Sequence, residues 1–153
     1  MARLEYIPEP TATSIREIDC PDLGDPPFVT GPALKDRRIA MISTAGLFTR
    51  GDRPFVGGDA DYRAIPADVG ENDLLVGHVS VNFDRTGYQR DRNVMFPIDR
   101  LRELAAGGII GSVADTHFSF MGATNPIEME AHVAPVIAQL NADRVDSVVL
   151  LPV

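Results

Sequence analysis

The stretch VDSVVLLPV spans residues 145–153 and has the clearest strand pattern in the sequence. The run Val148–Leu151 is short and apolar and begins with two β-branched valines, which is the pattern of a buried β-strand. In α/β proteins, ligands bind just beyond the carboxyl ends of such strands. We therefore expect a functional site next to Val153.

Three further segments have strand patterns, and two segments between them resemble loops. Strands are predicted in RRIAMISTAGLFT (37–49), in DLLVGHVS (73–80) and over Ile109–Val113. Residues 50–69 are rich in Gly, Asp and Pro, which favours a loop. Residues 82–96 are polar and rich in arginine, and they also predict a loop.

Two segments have helical patterns. PIDRLRELAAG (97–107) begins with Pro97, which suits a first helical turn, and ends at Gly107, which stops a helix. A second helix is predicted from Asn125, whose side chain caps it, with a kink at Pro135. The alternation of strands and helices predicts an α/β fold: a three-layer sandwich with a mostly parallel sheet, Rossmann-like or flavodoxin-like.

The N-terminal part differs in composition from the rest. Residues 1–36 contain half of the twelve prolines. Because proline does not propagate a helix or an inner strand, this segment predicts an irregular arm, with one short helical turn in SIREID (14–19). Residues 37–153 are predicted to form the α/β domain.

Composition and charge narrow the classes of function. The net charge of −8 argues against binding to nucleic acid or an anionic membrane, because both need a basic face. No apolar run approaches the roughly 18 residues that span a bilayer, and the N-terminus has no secretory signal, so a cytoplasmic protein is predicted. The single cysteine, Cys20, excludes a disulfide within the chain and a multi-cysteine metal site.

Two histidines follow apolar strand residues: His78 in GHVSVNFDR and His117 in ADTHFSF. Ser43–Gly46 and Ala114–His117 are expected at one rim of the sheet, because the carboxyl ends of parallel strands meet there. With Asp115, the histidines can form an acid–base group or a metal site. The alternative is that each histidine is hydrogen-bonded in the wall of a cleft.

Arg85, Arg90 and Arg92 surround Tyr88 in the predicted loop before the first helix. Guanidinium groups can hold a substrate carboxylate by paired hydrogen bonds. The alternative is a solvated loop in which Asp84 and Asp91 neutralise the arginines.

Thr44 and Gly46 end the first predicted strand. We expect backbone N–H groups at this turn to bind a small anionic part of the substrate. The chain contains neither G-x-G-x-x-G nor G-x-S-x-G, so the turn is not a dinucleotide fingerprint or a serine-hydrolase elbow.

Three segments carry a resemblance to a known family: GLFTRGDRPF (46–55), HVSVNFDRTGYQRDRNVMFPIDRLRELAAGGIIGSVADTHFSFMGA (78–123) and DSVVLLPV (146–153). They resemble the selenoprotein B family of the glycine, sarcosine, betaine and D-proline reductases. The likeness spans roughly residues 37–153 and is closest to the D-proline-reductase-type members.

The resemblance implies a component of a selenocysteine-dependent reductase that cleaves a C–N bond of a small amino acid or amine. In that family the strand like VVLLPV runs directly into a selenocysteine, so one is expected immediately after Val153, with no cofactor within the chain. The 153 residues then lack the nucleophile and are expected to be inactive alone. A pyruvoyl or other carbonyl group is expected on a partner reductase subunit.

The resemblance also implies roles for the candidate residues. His117, Asp115 and His78 would lie near the reactive atom as catalytic residues. The loop and the strand turn would bind the amino-acid-like substrate through Arg85, Tyr88, Arg90, Thr44 and Gly46.

Two other functions stay open from the sequence. One is a non-catalytic homologue that binds a small ligand or a partner subunit, and the other is a metal-dependent enzyme that uses His78 and His117. If residues beyond Val153 normally cover the sheet, apolar surface is exposed without them, and a homo-oligomer is predicted.

Overall fold

The computed structural model describes residues 4–17, 22, 24–25, 28–80 and 83–153. Strands in these ranges are β1 (Arg38–Ser43), β2 (Leu47–Thr49), β3 (Arg63–Pro66), β4 (Leu74–Val76), β5 (Ser112–Val113), β6 (Thr116–Ser119) and β7 (Ser147–Leu151). The α-helices are α1 (Thr11–Arg16), α2 (Thr86–Arg90), α3 (Ile98–Ala106), α4 (Pro126–Met129) and α5 (Val133–Ala142). None of these helices is long and apolar enough to cross a membrane.

β1 lies at the centre of the main sheet and has parallel neighbours on both sides. On one side it pairs with β7, from Ile39 opposite Ser147 to Ser43 opposite Leu151. On the other side it pairs with β5 and then with β6. β3 pairs antiparallel with β6, so the sheet is mixed but mostly parallel. β2 and β4 form a separate antiparallel pair.

Apolar side chains cover both faces of this sheet. On one face, Met41 belongs to a buried cluster that contains Leu101 of α3. On the other face, Ile42 packs against a cluster of Phe118 and Val136, so α5 lies there. Neighbouring residues of a strand point to opposite faces, which places the two clusters on opposite sides of β1. The structure confirms an α/β fold, and the finer assignment to a Rossmann-like or flavodoxin-like three-layer sandwich stays a prediction.

Elements with strong local signals lie where the sequence predicts them. α3 lies within the predicted helix 97–107, and β7 contains the run VVLL. The Asn125 side chain accepts a hydrogen bond from the N–H of Ile127 (3.1 Å), which confirms the predicted cap. In the N-terminal arm, α1 overlaps the predicted turn 14–19.

The second helix is interrupted rather than kinked. α4 ends at Met129, a 3-10 turn spans Glu130–His132, and α5 begins at Val133. Pro135 lies in the first turn of α5. Because proline has no N–H and its ring clashes with the carbonyl four residues earlier, a continuous helix through Ala131 is not allowed.

Three predictions about β structure are wrong. The predicted loop 50–69 contains β3. The predicted strand 109–113 is reduced to β5, and β6 begins within residues 114–117, which were expected at the rim after that strand. β3 and β6 are each four residues long and depend on pairing with each other across about fifty residues of sequence, which no local pattern reveals.

Two further segments differ from the prediction. The predicted strand 73–80 is reduced to β4, which pairs with β2 and not with the main sheet. The predicted loop 82–96 contains α2, where the Asp84 side chain accepts the N–H of Thr86 (2.9 Å) at the helix start. Cys20 lies outside the described residues, and the division of the chain at residue 36 stays a prediction.

Candidate functional site

The carboxyl ends of β1, β6 and β7 meet at one rim of the main sheet, as predicted for Ser43–Gly46. The Thr44 N–H donates to the Leu151 carbonyl oxygen (3.1 Å). The Thr44 hydroxyl oxygen accepts the N–H of Val153 (2.8 Å). Thr44 therefore fixes the position of Val153 at the end of β7.

Gly122 lies against the same two residues. Its N–H donates to the Thr44 carbonyl oxygen (2.9 Å). A Cβ atom at position 122 would lie 2.8 Å from that oxygen and 3.0 Å from the carbonyl oxygen of Val153. Only glycine allows this approach without displacing backbone atoms.

Gly46 brings the segment around His78 to the rim. Its φ of +65° favours glycine, and a Cβ atom there would lie 3.1 Å from the backbone nitrogen of His78. The Gly46 N–H donates to the Phe120 carbonyl oxygen (2.9 Å), and the Gly46 carbonyl oxygen accepts the N–H of Gly77 (2.8 Å). The structure thus brings Gly46 and His78 to the rim where Thr44 holds Val153. The predicted binding of an anion by backbone N–H groups of Thr44 and Gly46 is wrong, because both groups donate to backbone carbonyl oxygens.

The His78 side chain is 5% exposed. Its Nδ1 accepts the N–H of Ser80 (3.2 Å), and its ring stacks on Phe83 with centroids 4.2 Å apart. Burial lowers the pKa of His78, and the positive charge of Arg85 lowers it further. The ring is therefore neutral near pH 7 with its proton on Nε2, because Nδ1 is an acceptor. Within the described ranges, nothing is hydrogen-bonded to this Nε2.

Arg85 belongs to the surroundings of His78. Its guanidinium donates to the His78 carbonyl oxygen and lies 5.7 Å from the centroid of the Phe83 ring. No described ion pair joins Arg85 to Asp84, whose carboxylate instead bonds Thr86. Arg85 is therefore a positive charge beside the rim, and no carboxylate in the described ranges forms an ion pair with it.

Tyr88 and Arg90 lie at a different place from Arg85. The Tyr88 hydroxyl donates to the Leu74 carbonyl oxygen (2.7 Å), and burial raises its pKa. Tyr88 and Arg90 line a surface groove of about 280 Å³ next to Leu74. Leu74 pairs with Thr49, at the end of β2 that points away from Gly46. The predicted substrate-binding group is thus divided between two places.

His117 is a core residue. It is fully buried, its Nδ1 accepts the N–H of Met41 (3.0 Å), and its ring meets the edge of Phe96 at 5.3 Å between centroids. Burial lowers the pKa of His117 to about 4. The predicted rim position is wrong, because His117 lies within β6, opposite Ile65 of β3.

Asp115 lies near the opposite end of the sheet. Val113 of β5 pairs with Ile39 of β1, and Phe118 of β6 pairs with Ile42. The chain thus uses five residues where β1 uses three, so the extra residues between β5 and β6 form a bulge. Asp115 is exposed there, and its carboxylate lies 3.0 Å from the guanidinium of Arg38, at the start of β1. The predicted rim position of Asp115 is therefore wrong.

The metal site that the sequence left open as an alternative is not found in the part of the chain that the structure describes, where no three His, Cys, Asp or Glu side chains are grouped as ligands. His78 and His117 each use Nδ1 as an acceptor for a backbone N–H, and each packs in its own aromatic surroundings.

Comparisons with known proteins identify the family of this chain. A family profile described as "Glycine/sarcosine/betaine reductase selenoprotein B (GRDB)" matches residues 32–152. The chain belongs to this selenoprotein B family. The "D-proline reductase subunit gamma" of Acetoanaerobium sticklandii is 37% identical over 131 residues, which cover 82% of this chain and 53% of that relative. The chain thus spans about half the length of that curated relative. No solved structure matches it.

Sequence reasoning on this selenoprotein B chain missed two residues at the rim. Phe83 stacks on His78, and Gly122 gives the backbone around Thr44 its close approach. A glycine shortly after the segment HFSF is a signal for a close backbone approach at the end of a strand, although the sequence does not say which residue approaches it.

Proposed function

We propose that this chain is the part of a selenocysteine-dependent reductase that presents its reactive residue at the carboxyl rim of the sheet. The reaction is the reductive cleavage of a C–N bond in a small amino acid or amine. The observation that supports this most is the hydrogen bond from the Val153 N–H to Thr44, which holds the end of β7 at the rim. Membership of the selenoprotein B family and the reductase relative support the class of reaction.

In this proposal a selenocysteine directly follows Val153. A selenol is ionised at neutral pH, whereas a thiol with a pKa of about 8.5 is mostly protonated, so the group supplies a nucleophile ready for reaction. The surroundings fit such a residue, because the Thr44 hydroxyl binds the Val153 N–H and Gly122 lies close to the Val153 carbonyl oxygen. Gly122 has no side chain that would occupy the space beside it.

We assign a hydrogen-bond donor and the binding of the substrate to the segment around His78. The neutral His78 Nε2–H is a buried donor that lacks an acceptor among the described residues, and a leaving amine or substrate oxygen would supply that acceptor. Arg85, beside it, would hold the substrate carboxylate. His117 and Asp115 have no direct role in this assignment, because one is enclosed in the core and the other lies at the far end of the sheet.

Partner subunits complete the proposed enzyme. The relative is named as subunit gamma of a reductase, so it is one chain of a larger assembly. We propose that the pyruvoyl or other carbonyl group that activates the substrate belongs to a partner subunit. A cytoplasmic location and self-association of the chain also stay part of the proposal.

The test is an assay of the complete reductase, assembled with and without this chain. Glycine, sarcosine, betaine and D-proline are offered in turn with a dithiol as the electron donor. We expect one of them to be consumed only when the chain, with its selenocysteine, is present, and the 153 residues alone to be inactive. Turnover by the 153 residues alone, or a complex fully active without the chain, would contradict the proposal.

A further inference from the structure

β7 is the outer strand of the main sheet, and its outer edge pairs with no strand among the described residues. The Leu151 carbonyl accepts the N–H of Thr44, so Ser147, Val149 and Leu151 direct their backbone groups to β1. By alternation, the N–H and C=O groups of Val148 and Leu150 point away from the sheet. This edge can therefore accept another strand.

The two faces of β7 differ in exposure. Val149 and Leu151 pack against the cluster that contains α3. Val148 and Leu150 point to the α5 face, where they are 37% and 67% exposed. A run of four apolar residues without a charge is unusual at an open edge, where native sheets carry protective charges.

α5 has an apolar flank that faces β7. Its Gln139 side chain donates to the hydroxyl of Tyr62, next to β3, so one flank of the helix points to that edge of the sheet. At 100° per residue, Val133 and Ile137 lie on the opposite flank, towards β7. Val133 is 44% exposed and Ile137 is 49% exposed.

Exposed apolar residues thus lie on this side of both α5 and β7, and we call the set the β7–α5 face: Val133, Ile137, Val148 and Leu150. This face is wide enough for one helix to pack beside α5. α5 lies above β6 and β1, since it packs in a cluster with Phe118 and Ile42. Strands are about 4.8 Å apart and packed helices about 10 Å apart, so the next helix on this side would lie above β7 and one strand beyond it.

Chain topology favours the same arrangement. The chain passes from β6 through α5 to β7, and it moves outward across the sheet as it does so. A crossover of the same hand that continues outward from β7 has its helix on the same face as α5. The reductase relative has about as much chain again outside the matched region, which is ample for such a unit.

We propose that the β7–α5 face is covered by a helix–strand unit from the half of the reductase subunit that this chain does not span. The strand pairs with the outer edge of β7 in parallel, and the apolar side of the helix packs between Ile137 and Leu150. The inference rests on the proposed function only in the identity of this partner. Its geometry follows from the edge of β7 and the flank of α5.

The test is site-specific photo-crosslinking in cells that make the complete reductase. p-Benzoylphenylalanine replaces Ile137 or Leu150 in the full chain, and a matched control replaces Ile109, which is 53% exposed at the far end of α3. We expect adducts at positions 137 and 150 to peptides of the other half of the subunit, severalfold above the control. Adducts to a second copy of this chain, or yields equal to the control, would overturn the proposal.

A charge on the same surface gives an independent readout. In the full chain with p-benzoylphenylalanine at position 137, Leu150→Glu should lower the yield of adducts to the other half severalfold, whereas Val56→Glu, at a residue 54% exposed elsewhere, should leave it unchanged. Equal yields from both variants would contradict the inference. Both positions are exposed, so folding of the variants is expected. Crosslinks record contact and not turnover. An inactive reductase that still forms these crosslinks would therefore contradict the proposed function but not this inference.

Discussion

His78 and His117 have the same local chemistry in different places. Each accepts a backbone N–H at Nδ1, and each has an Nε2 without a partner in the described ranges. His117 lies inside β6 between β1 and β3, whereas His78 lies beside Gly46 at the rim. A buried histidine thus gains a candidate role from what lies next to it, and here only His78 lies beside Gly46, two residues after the threonine that holds the end of β7.

The largest expected effect is on activity at His78. His78→Phe keeps an aromatic ring but removes the Nε2–H donor, and it should lower the kcat of the complete reductase by about 100-fold, the size of effect for one lost hydrogen-bond donor at the reacting groups. The free energy of unfolding should change less. The measurement is steady-state kinetics beside urea unfolding. His132→Phe is the matched control and should stay within about twofold, since nothing places it at the rim; equal losses in both variants would remove His78 from the site.

The second prediction concerns acid stability at His117. The unfolded chain binds a proton at this histidine below its ordinary pKa of 6.5, whereas the folded chain binds one only near a pKa of about 4. Stability is therefore lost as the pH falls through that window. Between pH 7 and pH 4, the free energy of unfolding should fall by about 3 kcal/mol more in the natural chain than in His117→Gln. Urea unfolding at a series of pH values measures this, and parallel pH profiles would show that His117 titrates normally.

A third prediction tests the tight backbone packing at the rim. In Gly122→Ala the new methyl would contact the carbonyl oxygens of Thr44 and Val153, so we expect a loss of about 1–3 kcal/mol in unfolding free energy. Gly57→Ala is the control, because a Cβ atom there meets nothing within 4 Å. Chemical denaturation measures both. If Gly122→Ala were as stable as the control, the backbone at the rim would not be tightly packed around Gly122.

The smallest expected effect is at Thr44. Thr44→Val removes the hydroxyl that accepts the Val153 N–H, so stability should fall by about 1 kcal/mol and the Val153 amide should exchange faster with solvent. Hydrogen exchange followed by NMR or mass spectrometry measures the protection of that amide. Thr30→Val, at an exposed threonine, is the control. Unchanged protection at Val153 would show that Thr44 does not hold the end of β7.

The sequence predicted the parts of the fold that local chemistry determines. β1, α3 and β7 have continuous or helical apolar patterns, and the cap at Asn125 is a local hydrogen bond. β3 and β6 could not be predicted in this way, since each is short and polar residues lie within or beside it. They form because Ile65 and His117 pair across the sheet.

The residues of the candidate site also divide into those that the local sequence predicts and those that depend on distant contacts. Thr44 and Gly46 were predicted at the rim because they directly follow a strong strand. The prediction for His117 was wrong because β5 ends at Val113, before the bulge at Asp115. A new strand, β6, follows the bulge and contains His117, so the rim lies beyond His117. The position of His78 depended on a contact with Gly46 that only the folded chain makes.

In the proposed reductase, the residue after Val153 is the reactive one. The most direct measurement is peptide mapping of the reductase purified from its source, after reduction and alkylation with iodoacetamide at mildly acidic pH, where selenols react and thiols largely do not. We expect one alkylated selenium on the residue that follows Val153. A peptide without selenium at that position, or alkylation confined to other residues, would contradict it.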